Sequence, residues 1–372
     1  MQGHPTELGA PLFVDHCHRP TAAPQIWDPL LVTKEAIDAE IERLIAAAPA
    51  NGRRRSVVVH PASRTANSFT PGTAVSIQVL LPGEATHPAR TNANQLEITI
   101  RGGGRINAGA VLDVSLHDVW TVPPMQTYKH LNTGSEPWVR LTYSNAPLLE
   151  LLGVWLEEEA EHIAAAEPAK DGLSERQRAQ YARENAPDLA LTAGGARLRG
   201  YEFLTDIPVV PNPAMHWPWH LVAPHLSQSP GDGKRTIWLL YHPATERRNG
   251  TTGTYFATIG GCPPGTPPFT GERGHRHTSA AINYHIEGFG SSVVDGVRVN
   301  WKAGDLLLSA PGWSEHAHYP GEQGWKVLTV QDHPLHIAMG SLLWQEKFDG
   351  PIVALGAQEG QKGYVGPRTE GA

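Results

Sequence analysis

The stretch that decides the fold reads Gly-His-Arg-His at residues 274–277, Ile-Asn-Tyr-His-Ile-Glu-Gly at 282–288 and Ala-Pro-Gly-Trp-Ser-Glu-His-Ala-His at 310–318. His275 and His277 stand two residues apart, and side chains alternate along a strand, so both rings project from one face. His316 follows a Pro-Gly turn, 39 residues after His277 (316 − 277). Three converging neutral imidazoles would form an open site for Fe, Zn, Cu, Ni or Mn. The competing interpretation is a surface histidine pair and an unrelated turn histidine.

The overall composition is that of a soluble globular protein. Of 372 residues, 40% are apolar and 18% charged, and the formal charge is −7. This balance disfavours nucleic-acid and anionic-membrane binders, which carry basic patches. The N-terminus lacks the form of a signal peptide and no apolar run is long enough to span a membrane, so we expect a cytoplasmic protein. Cys17 and Cys262 lie far apart and predict free thiols.

Glycine and proline punctuate the chain. With 38 Gly and 32 Pro, many turns and short strands are favoured over a helical bundle. Apolar β-like runs bounded by these residues occur at 56–59, 74–81, 95–100 and 119–122. The pattern predicts a mainly β protein.

Three segments have helical patterns. Thr33 is a suitable N-cap for a helix whose apolar positions are 37, 41, 44 and 45. A second, acidic helix is predicted from Leu148 to about Ala166. Ser174 and Gln177 fit a capping box ahead of a charged helix that runs to about Asn185.

The second half of the chain repeats the first. Three pairs of segments are similar: 55–62 with 235–244, 100–104 with 286–290, and 147–153 with 334–340. The offsets are 182 (242 − 60), 186 (286 − 100) and 187 (334 − 147), a drift that small loop insertions would produce. We predict two similar β-rich units with closing helices, packed through their sheets or arms. Asp295-Gly296 predicts a type I′ hairpin in the second unit.

The histidine pair lies in a motif that resembles the first cupin motif. That motif is His-x-His, three or four residues, Glu, six residues and Gly. His275, His277 and Gly288 match it, whereas Ala281 stands at the Glu position. The missing Glu disfavours the manganese oxalate enzymes and many isomerase-like cupins.

The third histidine lies in a segment that resembles the second cupin motif, Pro-x-Gly-x-x-His. Pro311 and His316 match it, with Trp313 at the Gly position. The resemblance implies a mainly β fold with two cupin barrels (double-stranded β-helices, jelly-roll-like) and peripheral helices.

A two-motif cupin with three ligand histidines and no Glu resembles the gentisate 1,2-dioxygenase group, which includes salicylate and 1-hydroxy-2-naphthoate dioxygenases. The resemblance covers residues from about 50 to 347. It implies Fe(II) held by His275, His277 and His316. It also implies a small aromatic substrate, O2 as co-substrate, and a homo-oligomer, dimer or tetramer, with no nucleic-acid or membrane partner.

The first unit departs from the family pattern, in which the complete motif lies in the first cupin. Alignment on Ile-x-Gly-x-Gly places Ala89 and Thr91 at the first two ligand positions and Lys129 or His130 at the third. We therefore expect no metal in this unit.

These observations divide the chain into three parts. Residues 1–166 would hold the N-terminal arm, a helix and a degenerate cupin without metal. Residues 167–205 would form a helical bridge, and residues 206–372 the metal-binding cupin.

Four further residues are candidates for substrate chemistry. The resemblance places Asn283 where the family often carries a carboxylate-binding arginine, and Arg235 near the family's second such arginine. It places His318 where a histidine contacts the substrate hydroxyl or the oxygen, so we expect His318 to be catalytic. Trp313 is expected at the pocket wall. The structural alternatives are a surface arginine for Arg235, a rim histidine for His318 and a core side chain for Trp313.

A second group of histidines lies in residues 216–220, which read His-Trp-Pro-Trp-His, with His225 close by. A second metal site is one interpretation. We favour a rigid apolar arm that covers a neighbouring barrel or a ligand.

The resemblance implies a non-haem Fe(II)-dependent, extradiol-type ring-cleaving dioxygenase. Its substrate would be a hydroxylated aromatic compound like gentisate, salicylate, an aminophenol or a hydroquinone. Asn283 brings no charge, so a simple substrate carboxylate is not assumed. Two alternatives stay open: a cupin metalloenzyme of another class, such as a hydrolase, isomerase or thiol oxygenase, and a non-catalytic bicupin that binds a small molecule.

Overall fold

The computed structural model describes residues 26–65, 67–159, 174–226, 236–266 and 274–363, and five isolated N-terminal positions. Its helices are α1 (Lys34–Ala46), α2 (Ala146–Leu151), α3 (Glu175–Gln180), α4 (Glu202–Thr205), α5 (Trp219–Leu226) and α6 (His333–Met339), with 3-10 turns at Arg183–Asn185 and Pro243–Arg248. None of these helices is long and apolar enough to cross a membrane.

Strands are the most abundant regular element of the described chain. In the first half these are β1 (Leu30–Val32), β2 (Arg54–Val58), β3 (Ala74–Leu80), β4 (Ala89–Thr91), β5 (Gln95–Arg101), β6 (Gly104–Asn107), β7 (Val111–Val114), β8 (Val119–Val122), β9 (Lys129–Leu131), β10 (Trp138–Ser144) and β11 (Glu157–Glu159). In the second half they are β12 (Asp188–Ala190), β13 (Arg197–Arg199), β14 (His216–Trp217), β15 (Thr236–Leu239), β16 (Phe256–Cys262), β17 (Arg276–His277), β18 (Ala280–Val294), β19 (Val297–Lys302), β20 (Leu306–Pro311), β21 (His316–Gln331), β22 (Leu343–Gln345) and β23 (Val353–Ala354).

Two large antiparallel sheets form the body of the molecule. The first has the order β14-β8-β5-β10-β3-β2, and the second has the order β1-β20-β18-β21-β16-β15, with β19 paired to β18. Small sheets accompany them, β7-β6-β9 and β4-β11 in the first unit and β17-β22-β23 in the second. The predicted mainly β architecture and the four predicted strands of the first unit are confirmed.

The two large sheets share one hydrophobic core. On β5, Leu96 and Ile98 enter this core, and on β18 Ile282, Tyr284 and Ile286 do so. Because side chains alternate along a strand, the residues between them face the interior of their own unit. The alternation therefore directs Ala281, Asn283 and His285 into the second unit, where the histidine motif lies.

Each unit lends an arm strand to the other. β1, which precedes the first unit, pairs with β20 of the second, and β14, which precedes the second unit, pairs with β8 of the first. Asp118 holds the second arm, since it accepts from the Trp219 backbone N–H at 2.6 Å and lies 2.9 Å from His216 Nε2. The predicted arm at residues 216–220 is confirmed.

The internal repeat extends to hydrogen-bond geometry. The Nδ1 atom of His60 accepts from the backbone N–H of Ala62 at 3.0 Å, and His242 accepts from Ala244 at 3.1 Å. In each ring Nε2 lies about one hydrogen-bond length from an arm carbonyl, at 3.0 Å and 2.9 Å. The predicted equivalence of the two halves is thus confirmed by two buried histidines with the same role.

Three local predictions are confirmed. Thr33 caps α1 by accepting from Ala36 N–H at 3.3 Å, and the helix buries Ile37, Ile41 and Leu44. Ser174 forms the predicted capping box of α3, but this helix ends at Gln180 and a separate 3-10 turn at Arg183–Asn185 takes the place of its predicted last turn. Asp295 and Gly296 both have positive φ, 45° and 81°, between paired residues 294 and 297, as a type I′ turn requires.

The predicted acidic helix from Leu148 to about Ala166 is wrong over part of its length. Helix α2 ends at Leu151, and the acidic residues 157–159 form β11, which pairs with β4. Arg53 forms ion pairs with the first and last of these glutamates, and Arg90 with the middle one. Neutralisation by distant arginines stabilises a strand that local propensity disfavours. Residues 160–166 lie outside the described chain.

Candidate metal centre

His275, His277 and His316 meet at one end of the second unit. An isolated β-bridge joins His275 to His316, whose backbone N–H donates to the His275 carbonyl at 3.0 Å. The possible ligand atoms of the three side chains all lie within 4.8 Å of one another. Within the described ranges, this is the one group of three or more His, Cys, Asp or Glu residues that could hold a metal ion.

The hydrogen bonds of two ligand histidines determine which nitrogen is offered. His277 Nδ1 lies 2.8 Å from the Ser279 carbonyl oxygen, and His316 Nδ1 lies 3.0 Å from the Ser314 carbonyl oxygen. A carbonyl only accepts, so each Nδ1 carries the proton and each Nε2 keeps its lone pair for a ligand bond. A backbone carbonyl two residues after His277 and one two residues before His316 thus select the tautomer suited to metal binding.

The electrostatics of the site favour a neutral His277. Burial, followed by repulsion from His316 and His333, holds the pKa of His277 well below its usual value. Neutral imidazole is the form that ligates a metal. Ala281, fully buried, places a methyl group where a cupin Glu would stand. The donor set is therefore three imidazoles without a carboxylate, which fits a divalent metal with open positions.

Two residues near the histidines were missed by the sequence analysis. Trp344 on β22 stacks on His275, with ring centroids 4.5 Å apart and planes 14° apart, and pairs with His277 across the small sheet. His333 lies 2.6 Å from Ser279 Oγ through its Nδ1, and Ser279 Oγ is 2.9 Å from His277 Nδ1. Both contacts join segments more than 50 residues apart, and no local pattern announces them.

The structure brings two of the predicted substrate residues to the triad's side of the sheet. His318 is two residues after His316 on β21, so it faces the same way, and the two ring centroids are 5.9 Å apart. Asn283 is 3% exposed and two residues from Ala281 on β18. Its Nδ2 donates to Ser309 Oγ at 3.0 Å, and its Oδ1 is buried without a hydrogen-bond partner among the described residues.

Of the other two predicted substrate residues, only Trp313 lies within the described part of the chain. Trp313 packs against the Arg276 guanidinium, whose carbon lies 4.7 Å from the ring centroid. Arg276 alternates with the ligand histidines and so leaves the opposite face of β17. The contact indicates a packing role for Trp313, and its substrate role stays a prediction. Arg235 lies outside the described residues.

The first unit has different side chains at the equivalent place. Its isolated bridge Ala89–Tyr128 matches the bridge His275–His316 of the second unit. The third ligand position therefore falls on Tyr128, and the expectation of Lys129 or His130 was wrong by one or two residues. The reason is that loop insertions shift the register between the motifs, which a fixed offset cannot follow.

His130 instead joins a buried charged cluster inside the first unit. His130 Nε2 lies 2.8 Å from Glu97 Oε2, Thr142 donates to Glu97 Oε1 at 3.0 Å, and Arg140 Nε is 3.5 Å from Glu97. Burial raises the pKa of Glu97, but the positive charge of its neighbours outweighs burial and lowers it to about 2. Burial and Arg140 lower the pKa of His130 to about 4.

Comparison with known proteins finds relatives that are named as 1,2-dioxygenases. No protein-family model matches the sequence. The 5-aminosalicylate 1,2-dioxygenase of Comamonas sp. is 26% identical over 304 residues, which are 77% of this chain and 72% of that protein. Gentisate 1,2 dioxygenase 1 of Aquipseudomonas alcaligenes is 26% identical over 131 residues, 35% of this chain and 37% of that protein.

The fold has a clear structural counterpart. The crystal structure of salicylate 1,2-dioxygenase from Pseudaminobacter salicylatoxidans matches with a TM-score of 0.67 and 17% identity, over 87% of this chain and 90% of that chain. At this identity the match establishes the fold, a mainly β cupin architecture. These relatives, together with a cluster of three histidines in the second unit that could hold a metal ion, agree with the resemblance of the sequence to the gentisate 1,2-dioxygenase-like bicupins.

Proposed function

We propose that the protein is a non-haem Fe(II)-dependent dioxygenase that cleaves the ring of a hydroxylated aromatic compound and incorporates both atoms of O2. The observation that carries the proposal is the cluster of His275, His277 and His316, three imidazole rings without a carboxylate ligand. The relatives named for aminosalicylate and gentisate oxygenation support it. Cleavage would break the ring bond between the hydroxylated carbon and the neighbouring carbon that carries the substituent. The reaction would therefore be of extradiol type only in the broad sense that the cleaved bond lies beside a hydroxyl group.

The choice of iron rests on the donor set and on the relatives. Three imidazoles suit several divalent metals, and the reaction with O2 requires a redox-active one. Bound Fe(II) would supply open coordination positions and the electron transfer that allows O2 to react with an aromatic ring. The chain's part is to bring the three imidazoles together at one end of the second unit.

Asn283 supports a substrate that carries a hydrogen-bond donor. Its Nδ2 is used by Ser309, whose hydroxyl reaches the Ala281 carbonyl at 3.4 Å, so the amide oxygen is left facing the unit's interior. A buried acceptor without a partner is costly, and a ring hydroxyl or amine would satisfy it. A carboxylate at this point would be repelled. We therefore assign Asn283 to orienting a hydroxyl or amino substituent.

His318 would bind or protonate the substrate or oxygen near the metal, since it shares the face of His316. Further parts of the proposal are the division of the chain at residues 167–205, a first cupin without metal, and a homo-oligomer.

The test begins with metal analysis of protein purified without oxygen, followed by oxygen-uptake measurements. The panel is gentisate, salicylates, aminophenols, hydroquinones and hydroxynaphthoates. We expect about one iron per chain and uptake with at least one hydroxylated or aminated member. Zinc at full occupancy without oxygen uptake would contradict the proposal and favour a hydrolytic cupin.

A pair of histidine variants locates the activity. His277→Ala should lose both iron and oxygen uptake because one of three ligands is removed. His220→Ala is the matched control, since His220 is exposed on α5, and should retain both. Full iron content and activity in His277→Ala would refute the assignment of the site.

A further inference from the structure

Two buried hydrogen bonds connect Trp301, through Ser292, to His318. His318 Nδ1 lies 2.8 Å from Ser292 Oγ, and the indole Nε1–H of Trp301 donates to the same oxygen at 3.0 Å. Ser292 is fully buried and Trp301 is 4% exposed. We propose that Ser292 and Trp301 are positioning residues that fix the tautomer of His318, so that its proton is held on Nε2.

The direction of each hydrogen bond follows from what each group can do. An indole nitrogen can only donate, so Ser292 Oγ accepts from Trp301. Among the described residues, the hydrogen-bond partners of Ser292 Oγ are this indole and His318 Nδ1. The buried hydroxyl proton is therefore satisfied only by donation to His318 Nδ1. A neutral His318 whose Nδ1 accepts must carry its own proton on Nε2.

The fold holds the indole in place from two sides. The Trp301 ring stacks on His285, with centroids 3.9 Å apart and planes 10° apart. Burial lowers the pKa of His285 to about 3, so this ring stays neutral and packs as an aromatic surface. Opposite Trp301 on the neighbouring strand is Gly290, where an added Cβ would lie 2.6 Å from the indole ring. Only glycine leaves room for the indole to point at Ser292.

The strand register brings the three groups together on neighbouring strands. Ser292 on β18 is directly opposite His318 on β21, and on β19 it is opposite Val299, two residues from Trp301, so that Trp301 is its diagonal neighbour. Directly opposed side chains on one face of antiparallel strands come within hydrogen-bond reach. The alignment is therefore a property of the sheet and does not depend on a loop.

The consequence for catalysis rests on the proposed function. A neutral His318 protonated on Nε2 offers a hydrogen-bond donor near the triad, and an oriented donor stabilises negative charge that develops on substrate or oxygen. The opposite tautomer would present a lone pair there and repel the same charge. The position of the proton itself does not depend on what reaction the protein catalyses.

The first experiment observes the proton directly. Full-length protein with 15N-labelled histidine is loaded with Zn(II), which is diamagnetic, and long-range 1H–15N correlations distinguish protonated from unprotonated ring nitrogens. Signals absent in His318→Asn identify His318. We expect an unprotonated Nδ1 and a protonated Nε2. A protonated Nδ1 in the unsubstituted protein would overturn the proposal.

Trp301→Phe then tests the indole without removing the ring that stacks on His285. Ser292 Oγ loses its obligatory donor and becomes free to accept from His318 Nδ1–H, so we expect a mixture of tautomers. Ser292→Ala removes the hydroxyl and should have the same effect. Trp325→Phe is the control, because Trp325 belongs to the same buried cluster, 6.1 Å from Trp301 between ring centroids. It should leave the His318 signals unchanged.

Oxygen-uptake kinetics provide the second readout. General acid–base groups contribute about 10²–10⁴-fold in rate, so a partial loss of the correct tautomer should lower kcat roughly tenfold to hundredfold with little change in KM. An equal loss in Trp301→Phe and Trp325→Phe, with His318 signals unchanged in both, would overturn the proposal. Absence of oxygen uptake in the unsubstituted protein, with the expected tautomer present, would refute the proposed function and leave the tautomer assignment supported.

Discussion

Glu97→Gln should destabilise the protein strongly although Glu97 lies far from the histidine cluster in sequence. The carboxylate is fully buried and balances the Arg140 guanidinium, which is 1% exposed. Glutamine keeps the size and one hydrogen bond to Thr142 but removes the charge. Because breaking a buried ion pair leaves an uncompensated charge, we expect a loss of about 3–5 kcal/mol in the free energy of unfolding.

The assay is urea unfolding followed by tryptophan fluorescence, with iron content measured in parallel. Glu40→Gln is the control, since Glu40 pairs with Arg43 at 2.6 Å on the surface of α1 and should lose less than about 1 kcal/mol. The double variant Glu97→Gln/Arg140→Met removes both charges and should recover much of the lost stability. A loss below about 1 kcal/mol for Glu97→Gln would refute the argument that charge balance stabilises this interior.

Three further predictions concern other parts of the molecule. Trp344→Ala should weaken metal binding by about 1–2 kcal/mol, roughly tenfold, because His275 loses its stacking partner, whereas Trp344→Phe should bind the metal nearly normally. Chelator competition measures the metal affinity of both variants, and equal affinities in Trp344→Ala and Trp344→Phe would contradict the prediction. Stability should fall as the pH falls from about 6.5 to about 2, since the unfolded chain takes up protons at His130 and Glu97 before the folded protein does. Melting temperatures measured across that pH range test this prediction, and a melting temperature that rises on acidification would contradict it. Thr33→Ala should lower the free energy of unfolding by about 1 kcal/mol through loss of the α1 cap, with Thr133→Ala, exposed in a loop, as the neutral comparison.

Several features could be predicted because they depend on neighbours in sequence. The His-x-His spacing places two rings on one face of any strand, Thr33 caps the helix that follows it, and Asp295-Gly296 selects a tight turn. The repeat was visible because both units keep a His-Pro-Ala segment. The acidic run 157–159 was assigned to the wrong element because its partners, Arg53 and Arg90, lie more than 60 residues away.

The sequence by itself determined the metal centre's donor set, two repeated β-rich units and the absence of a carboxylate at Ala281. Only the tertiary structure decided which residues support that centre. Trp344 and Ser292 have no pattern of their own, and Tyr128 takes its position from strand register. The physical reason is that side-chain direction repeats along a strand and can be read locally, whereas contacts across strands depend on register and loop length, which follow from the packing of the whole molecule.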